Sequence, residues 1–114
     1  MKTAQLIGFE DFDDFTLQKV REYVQPLINR YKRIFGLETI QEFKVVTDTI
    51  HKVGGKDEYE VIGHLNTTHG LFKVKRNGWE ILDVINEVIE NLDRQIIEAK
   101  EKKVKTKRRY PANA

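Results

Sequence analysis

Seven of the chain's twenty lysine and arginine residues lie in its last fifteen positions, where the only acid is Glu101. Residues 1–99 carry thirteen basic and seventeen acidic residues, a formal net charge of −4, whereas residues 100–114 carry +6. A cationic segment at a chain end binds polyanions by displacing their condensed counterions, and structured RNA is the polyanion that suits a small domain best. The basic residues of this segment are Lys100, Lys102, Lys103, Lys105, Lys107, Arg108 and Arg109.

Further candidate RNA contacts lie in the body of the chain. Residues 17–35 are predicted to be helical and contain five basic residues against one acid; on a helical wheel Lys19, Arg30 and Arg33 fall on one flank. Arg21 and Lys32 fall on the other flank. The remaining candidates are Lys73 and Lys75 in a predicted strand and Arg94 in a second, acidic helix. The alternative interpretation is that the basic and acidic helices only complement each other electrostatically.

Residue types that would support catalysis or cofactor binding are sparse. Serine and cysteine are absent, so neither can act as a nucleophile or form a disulfide. The three histidines fall in or beside three different predicted strands, and the acids between Glu10 and Asp14 lack the spacing of a calcium loop. Gly54-Gly55-Lys56 lacks the first glycine and the following helix of a phosphate loop. We therefore predict a non-enzyme without metal, cofactor or small-molecule substrate.

Composition describes one globular domain. The chain has 114 residues, of which 39% are hydrophobic and 33% charged, enough to bury a core without disulfides. No stretch approaches the eighteen apolar residues of a membrane span, and the N-terminus leads into no apolar signal region. The expected location is cytoplasmic, with no membrane partner.

Hydrophobic periodicity predicts four strands and two helices. Helical spacing of apolar residues follows Thr16, the expected N-cap, and crosses Pro26 to end at Gly36. A second apolar stripe begins near Trp79 and ends at Ala99. The predicted strands are residues 4–9, 40–50, 59–66 and 71–76, the last three joined as an antiparallel meander.

This order predicts an α+β fold, a two-layer β-α-β-β-β-α sandwich with two helices on one face of a four-stranded sheet. The predicted domain is residues 1–99. No apolar stripe continues beyond Ala99, so residues 100–114 are expected to form a basic, flexible C-terminal tail.

The same order, with several of its residues, resembles the family of ribosome hibernation-promoting factors and ribosome-associated inhibitors. Val20-Arg21-Glu22-Tyr23-Val24 is similar to that family's Leu-Arg-Glu-Tyr-Val in its first helix, and Ile7-Gly8 lies where the family has an Ile-x-Gly strand end. Residues 60–65 resemble the third strand of the family, and residues 80–96 resemble its closing helix. The resemblance spans roughly residues 4–103 and fits the short form of the family.

The resemblance implies a fold like that of double-stranded-RNA-binding domains. It also implies docking on the rRNA of the small ribosomal subunit, in the mRNA and tRNA channel, where the family silences or stores idle ribosomes. We therefore predict a ribosome-associated translation factor of the hibernation type. Two alternatives remain open: a general structured-RNA-binding protein, and a dimeric interaction module that uses the open sheet and binds no RNA.

Overall fold

Four strands and two helices follow one another in the predicted order. The computed structural model describes the backbone of residues 4–35, 40–68 and 70–113, and the side chains of residues 4–34, 40–68 and 70–99. The elements are β1 (Gln5–Ile7), α1 (Asp14–Phe35), β2 (Ile40–Val53), β3 (Lys56–Thr67), β4 (Gly70–Gly78) and α2 (Ile81–Asn113).

The strands form one mixed sheet in the order β1-β2-β3-β4. β1 pairs in parallel with β2, because α1 carries the chain back to the sheet end where β1 began. β2, β3 and β4 pair antiparallel in sequence, so the predicted meander is confirmed. The α+β class and the four-stranded sheet with two helices are confirmed as well.

The β2–β3 hairpin is tighter and longer than predicted. The predicted strands 40–50 and 59–66 leave residues 51–58 between them, but pairing continues to Val53 and Lys56 and leaves only Gly54 and Gly55 in the turn. Both glycines have positive φ, 56° and 78°. A two-residue turn with φ positive at both positions matches the twist of the two strands, which lets the ladder run to its end.

Helix α1 begins two residues earlier than the expected cap. Asp13, rather than Thr16, caps the helix, because its Oδ1 accepts a hydrogen bond from the Thr16 backbone N–H at 2.8 Å. The side-chain and backbone hydrogen bonds from Thr16 lower the pKa of the Asp13 carboxyl. The helix then runs unbroken through Pro26 to Phe35, as predicted, while its expected glycine stop, Gly36, lies outside the described residues.

Both helices cover one face of the sheet. The inward rows of the sheet pair Phe43 with Leu65 and Val45 with Gly63, and these residues are fully or almost fully buried. Gly63 allows α2 to approach closely, since a Cβ there would lie 2.6 Å from Val88 Cγ1 and 2.9 Å from a Leu92 methyl carbon. The predicted apolar stripes of both helices supply the rest of the core.

The two helices run in the same direction. Gln25 of α1 accepts a hydrogen bond from Ala4 at the start of β1, so α1 runs antiparallel to β1. Along α2, Asn91 contacts Arg76 and Gln95 contacts the Lys73 carbonyl, so α2 runs antiparallel to β4. Because β1 and β4 point the same way, the C-terminal ends of α1 and α2 lie at the same end of the molecule.

Helix α2 does not stop where its apolar stripe stops. The sequence predicted an element ending at Ala99 followed by a tail, whereas the backbone of α2 remains helical to Asn113. Five lysines and two arginines, which are good helix formers, make up half of the fourteen added residues and favour the continuation of the helix. We call residues 100–113 the arm; the side chains of the arm lie outside the described residues. The division into a domain and a flexible tail stays a prediction.

Candidate nucleic-acid interface

A polar contact ties α1 to α2 and fixes how the two helices stand side by side. The buried Tyr31 hydroxyl donates a hydrogen bond to Asp93 Oδ1 at 3.0 Å, and Arg30 forms an ion pair with Asp93 Oδ2. Burial is the main cause that raises the pKa of Tyr31 well above its usual range, with the Asp93 charge and hydrogen bond adding to it. The phenol therefore stays protonated and acts as a donor.

We predict that Tyr31→Phe lowers the free energy of unfolding by about 1 kcal/mol at neutral pH, because one hydrogen bond is lost. Above pH 10, the free energy of unfolding should also fall less steeply with pH in the variant than in the wild type. The folded pKa of Tyr31 is raised above the unfolded value of 10.0, so its contribution is complete below pH 10 and is lost as pH rises. Urea unfolding at several pH values above ~10 measures the free energy of unfolding. Its decrease with pH should be steeper in the wild type than in the variant, by up to about 1.4 kcal/mol per pH unit. Equal slopes would contradict the assignment.

Arg30 is a predicted RNA contact whose charge is already partnered. Its ion pair with Asp93 joins the basic helix to the acidic one, as the electrostatic alternative expects at this position. The pair is partly exposed, and such pairs contribute little to stability, well under ~1 kcal/mol. Arg30 can therefore exchange Asp93 for a phosphate at modest cost, but it does not offer an unpaired charge in this structure.

Charge is distributed unevenly along the layer that the two helices form. The first half of α2 contributes Asp83, Glu87 and Glu90 and no base between Ile81 and Asp93. Helix α1 has no acid after Glu22 and ends with Lys32 and Arg33 in its last turn. Because the helices are parallel, the basic end of α1 lies beside the turns of α2 that lead into the arm.

We call this region the basic end. It comprises Lys32, Arg33, the exposed Arg94 and the start of the arm. The ion pair between Arg30 and Asp93 shows which turns of the two helices are adjacent. Arg33 follows Arg30 by about one turn, so it lies beside the turn of α2 that follows Arg94. The seven basic residues of the arm continue this end along the helix axis, and their predicted contacts with RNA lie outside the described side chains.

Two predicted contacts lie away from the basic end. Lys19 and Arg21 belong to the first turns of α1, at the opposite end of the helical layer. Lys19 pairs with Glu22 at 3.5 Å and lies over the Phe15 ring at 5.7 Å. Arg21 is exposed and lies one turn before Gln25, which accepts a hydrogen bond from Ala4. These two residues can contact RNA together with the basic end only if the RNA spans the length of α1.

The remaining two predicted contacts lie on the other side of the molecule. Lys73 and Lys75 point away from the helices, and Lys75 pairs with Glu60 at 3.3 Å. Arg76, the next residue of β4, lies on the helix side and donates to Asn91 Oδ1 at 2.9 Å. Its position follows from strand alternation, because Arg76 pairs with the buried Val61.

The structure also reveals a feature that sequence reasoning missed. A cavity of about 330 Å³ opens between the β1–α1 loop and the β2–β3 hairpin. Phe12 and Tyr59 contact each other there with ring centroids 5.3 Å apart, and Lys52 and Asp57 line the rim. Nothing in their spacing along the chain could have indicated this meeting, since it depends on the register of the hairpin.

Across the described ranges, no three histidine, aspartate or glutamate side chains come together to hold a metal ion. In the same part of the chain, no helix has an apolar stretch long enough to cross a bilayer. Neither a scan of protein-family models nor a search of curated proteins finds a match to this chain.

Proposed function

We propose that this protein is a non-catalytic RNA-binding factor of the ribosome hibernation type, which contacts rRNA of the small subunit. The observation that carries the proposal is the position of the arm. The first half of α2 packs on the sheet through buried apolar residues such as Val88 and Leu92 and carries acids on its exposed side. The helix then projects fourteen residues of net charge +6 beyond the core. The arm projects about 21 Å at 1.5 Å per residue, from the same end of the molecule as Lys32 and Arg33.

The acids in the first half of α2 and the basic end lie at opposite ends of the helical layer. The acidic half of α2 repels phosphate, while the basic end and the arm attract it, so an RNA approaching the helical layer is steered to one end. Phosphate contacts of this kind provide affinity and fast association but carry no sequence information. Specificity would come from the shape of a structured RNA, as is usual for recognition of folded RNA.

The finer assignment to a fold like that of double-stranded-RNA-binding domains, and to ribosomes, belongs to the proposal. It is supported by the β-α-β-β-β-α order, by the parallel β1–β2 pair and by the family-like residues in α1, β3 and α2. A protein that inserts a basic arm into the mRNA and tRNA channel would exclude those ligands sterically and electrostatically. Such a role needs no catalytic group.

The affinities for small ribosomal subunits and for a plain RNA duplex distinguish the proposed function from general RNA binding. We expect the full chain to bind purified small subunits at least tenfold more tightly than a plain RNA duplex at ~150 mM salt, because the duplex offers phosphates without the matching shape. Fluorescence anisotropy of the labelled protein measures both affinities. Equal affinities would favour a general structured-RNA-binding protein, and no binding to either would remove RNA from the account.

A further inference from the structure

The face of the sheet that the helices leave open has an ordered charge pattern. Successive cross-strand rows on this face contain Lys44, His64 and Lys73, then Ile7, Val46, Ile62 and Lys75, then Asp48, Glu60 and Asn77. A basic row and an acidic row thus lie on either side of an apolar row. Ile7 is 44% exposed, so the apolar row is open to solvent at its β1 end.

This face offers RNA no net positive charge. Its four acids, Glu42, Asp48, Glu58 and Glu60, equal its lysines in number, Lys44, Lys56, Lys73 and Lys75. Two of the lysines are already near acids of the same chain: Lys44 lies 3.7 Å from Glu42, and Lys75 lies 3.3 Å from Glu60. A polyanion laid on the face would meet as many acids as lysines.

We propose that the open face binds a second copy of this chain. In a face-to-face pair related by a two-fold axis along the apolar row, each strand lies over its own copy in the reverse direction. The basic row of one protomer then lies over the acidic row of its partner, with Lys44 opposite Asp48 and His64 opposite Glu60, twice by symmetry. Val46 and Ile62 pack against their own copies at the centre.

The other two-fold arrangement is unfavourable. An axis along the strands would bring the acidic row against the acidic row and the basic row against the basic row, and like charges facing each other oppose association. In the favoured arrangement, the only like pair among the three described rows is Lys75 with its own copy at the edge of the sheet. The usual angle of about 30° between packed sheets separates edge residues, and Glu60 of the same chain neutralises Lys75.

The face is also large enough. Four strands spaced by ~4.8 Å and about ten residues rising ~3.3 Å each give a plan area of about 600 Å². Because side chains protrude from the sheet, its accessible area is larger than this plan area and approaches the ~800 Å² per partner of an ordinary stable interface. The helical layer, with the basic end and the arm, stays on the outside of such a dimer, so two RNA surfaces would face away from each other.

Charge-reversal variants in the basic row and in the acidic row test the dimer without any RNA. Sedimentation equilibrium of the wild-type chain should give twice the chain mass of 13.4 kDa. Lys44→Glu and Asp48→Lys, measured separately, should each weaken the dimer by at least about tenfold, because like charges now face each other in both symmetric contacts. An equimolar mixture of the two variants should restore the dimer, since each acid then meets a base. Recovery on mixing also shows that both variants are folded.

Any of four results would overturn the proposal. The first three are a wild-type mass of one chain at concentrations up to ~100 µM, a dimer that neither variant weakens, and a mixture that stays monomeric. Loss of RNA affinity in Lys73→Gln with no change in mass would assign the face to RNA instead, which also overturns it. The outcome is independent of the proposed function, because neither variant touches the arm or the basic end.

Discussion

Removing four positive charges from the arm should weaken binding to RNA on the order of 100-fold at ~150 mM salt. Each single-stranded phosphate contact contributes a slope of about −0.7 to the dependence of log K on log salt concentration, so seven contacts give roughly −5 and three give roughly −2. The loss of affinity and the flatter slope therefore come from the same four contacts. The variant replaces Lys105, Lys107, Arg108 and Arg109 by glutamine.

A matched control lowers the net charge by the same four units elsewhere. It replaces Lys52 and Lys56 of the β2–β3 hairpin, at the opposite end of the molecule from the basic end, by glutamate. If net charge alone governs binding, the two variants lose affinity equally. If the arm contacts phosphate, the control keeps most of the affinity and the steep salt slope. Unchanged affinity in the arm variant would remove the arm from the mechanism.

The second large effect is expected on stability, at the end of β1. Gly8 has φ of +86°, and a Cβ at this position would lie 2.2 Å from the backbone oxygen of Thr47. Gly8→Ala combines an unfavourable backbone conformation with a clash against backbone that cannot rotate away. We expect a loss of about 3 kcal/mol or more. For a chain of this size that loss corresponds to a fall in Tm of about 12 °C.

Gly54→Ala is the matched control for the backbone conformation. Gly54 also has positive φ, +56°, but a Cβ there would have no atom within 4 Å. Its replacement should cost only about 1 kcal/mol, the conformational part of the Gly8 effect. Thermal unfolding followed by circular dichroism compares the two variants. Equal shifts in Tm would mean that the contact between Gly8 and Thr47 is not needed for β1 to pair with β2.

Much of the fold was predictable because its signals are local and periodic. The apolar stripes of α1 and α2 identified the residues that are buried, from Val20 to Tyr31 and from Ile81 to Ile96. The predicted strands 59–66 and 71–76 lie within β3 and β4. What the sequence misjudged were the ends: the Asp13 cap, the two-residue turn at Gly54 and the length of α2.

The candidate site was less predictable because it depends on which elements become neighbours. Counting charges placed Arg30 on a basic flank, but only the packing of α1 on α2 reveals that Asp93 pairs with it. Likewise, one list of candidate contacts included both Arg33 and Lys73, which the sheet separates onto opposite sides of the molecule. Strand register, which no single residue determines, created the charged rows of the open face.

These positions give the two layers different roles in the account. The proposed RNA surface is the basic end of the helical layer, and the proposed surface for a second copy is the open face of the sheet. Both proposals use charge, but in different ways: segregated along the helices to attract a polyanion, and alternating across the sheet to match its own symmetry mate. Each can fail without the other.

The central claim, that this protein occupies the small ribosomal subunit through its basic end and arm, is tested most directly by co-sedimentation on sucrose gradients. The purified chain is mixed with separated ribosomal subunits and run at about 50 and 150 mM salt, a range over which phosphate-driven binding weakens measurably. We predict migration with the small subunit at both salt concentrations, with release when mRNA or tRNA is added in excess. A protein that stays at the top of the gradient at both salt concentrations would contradict the account.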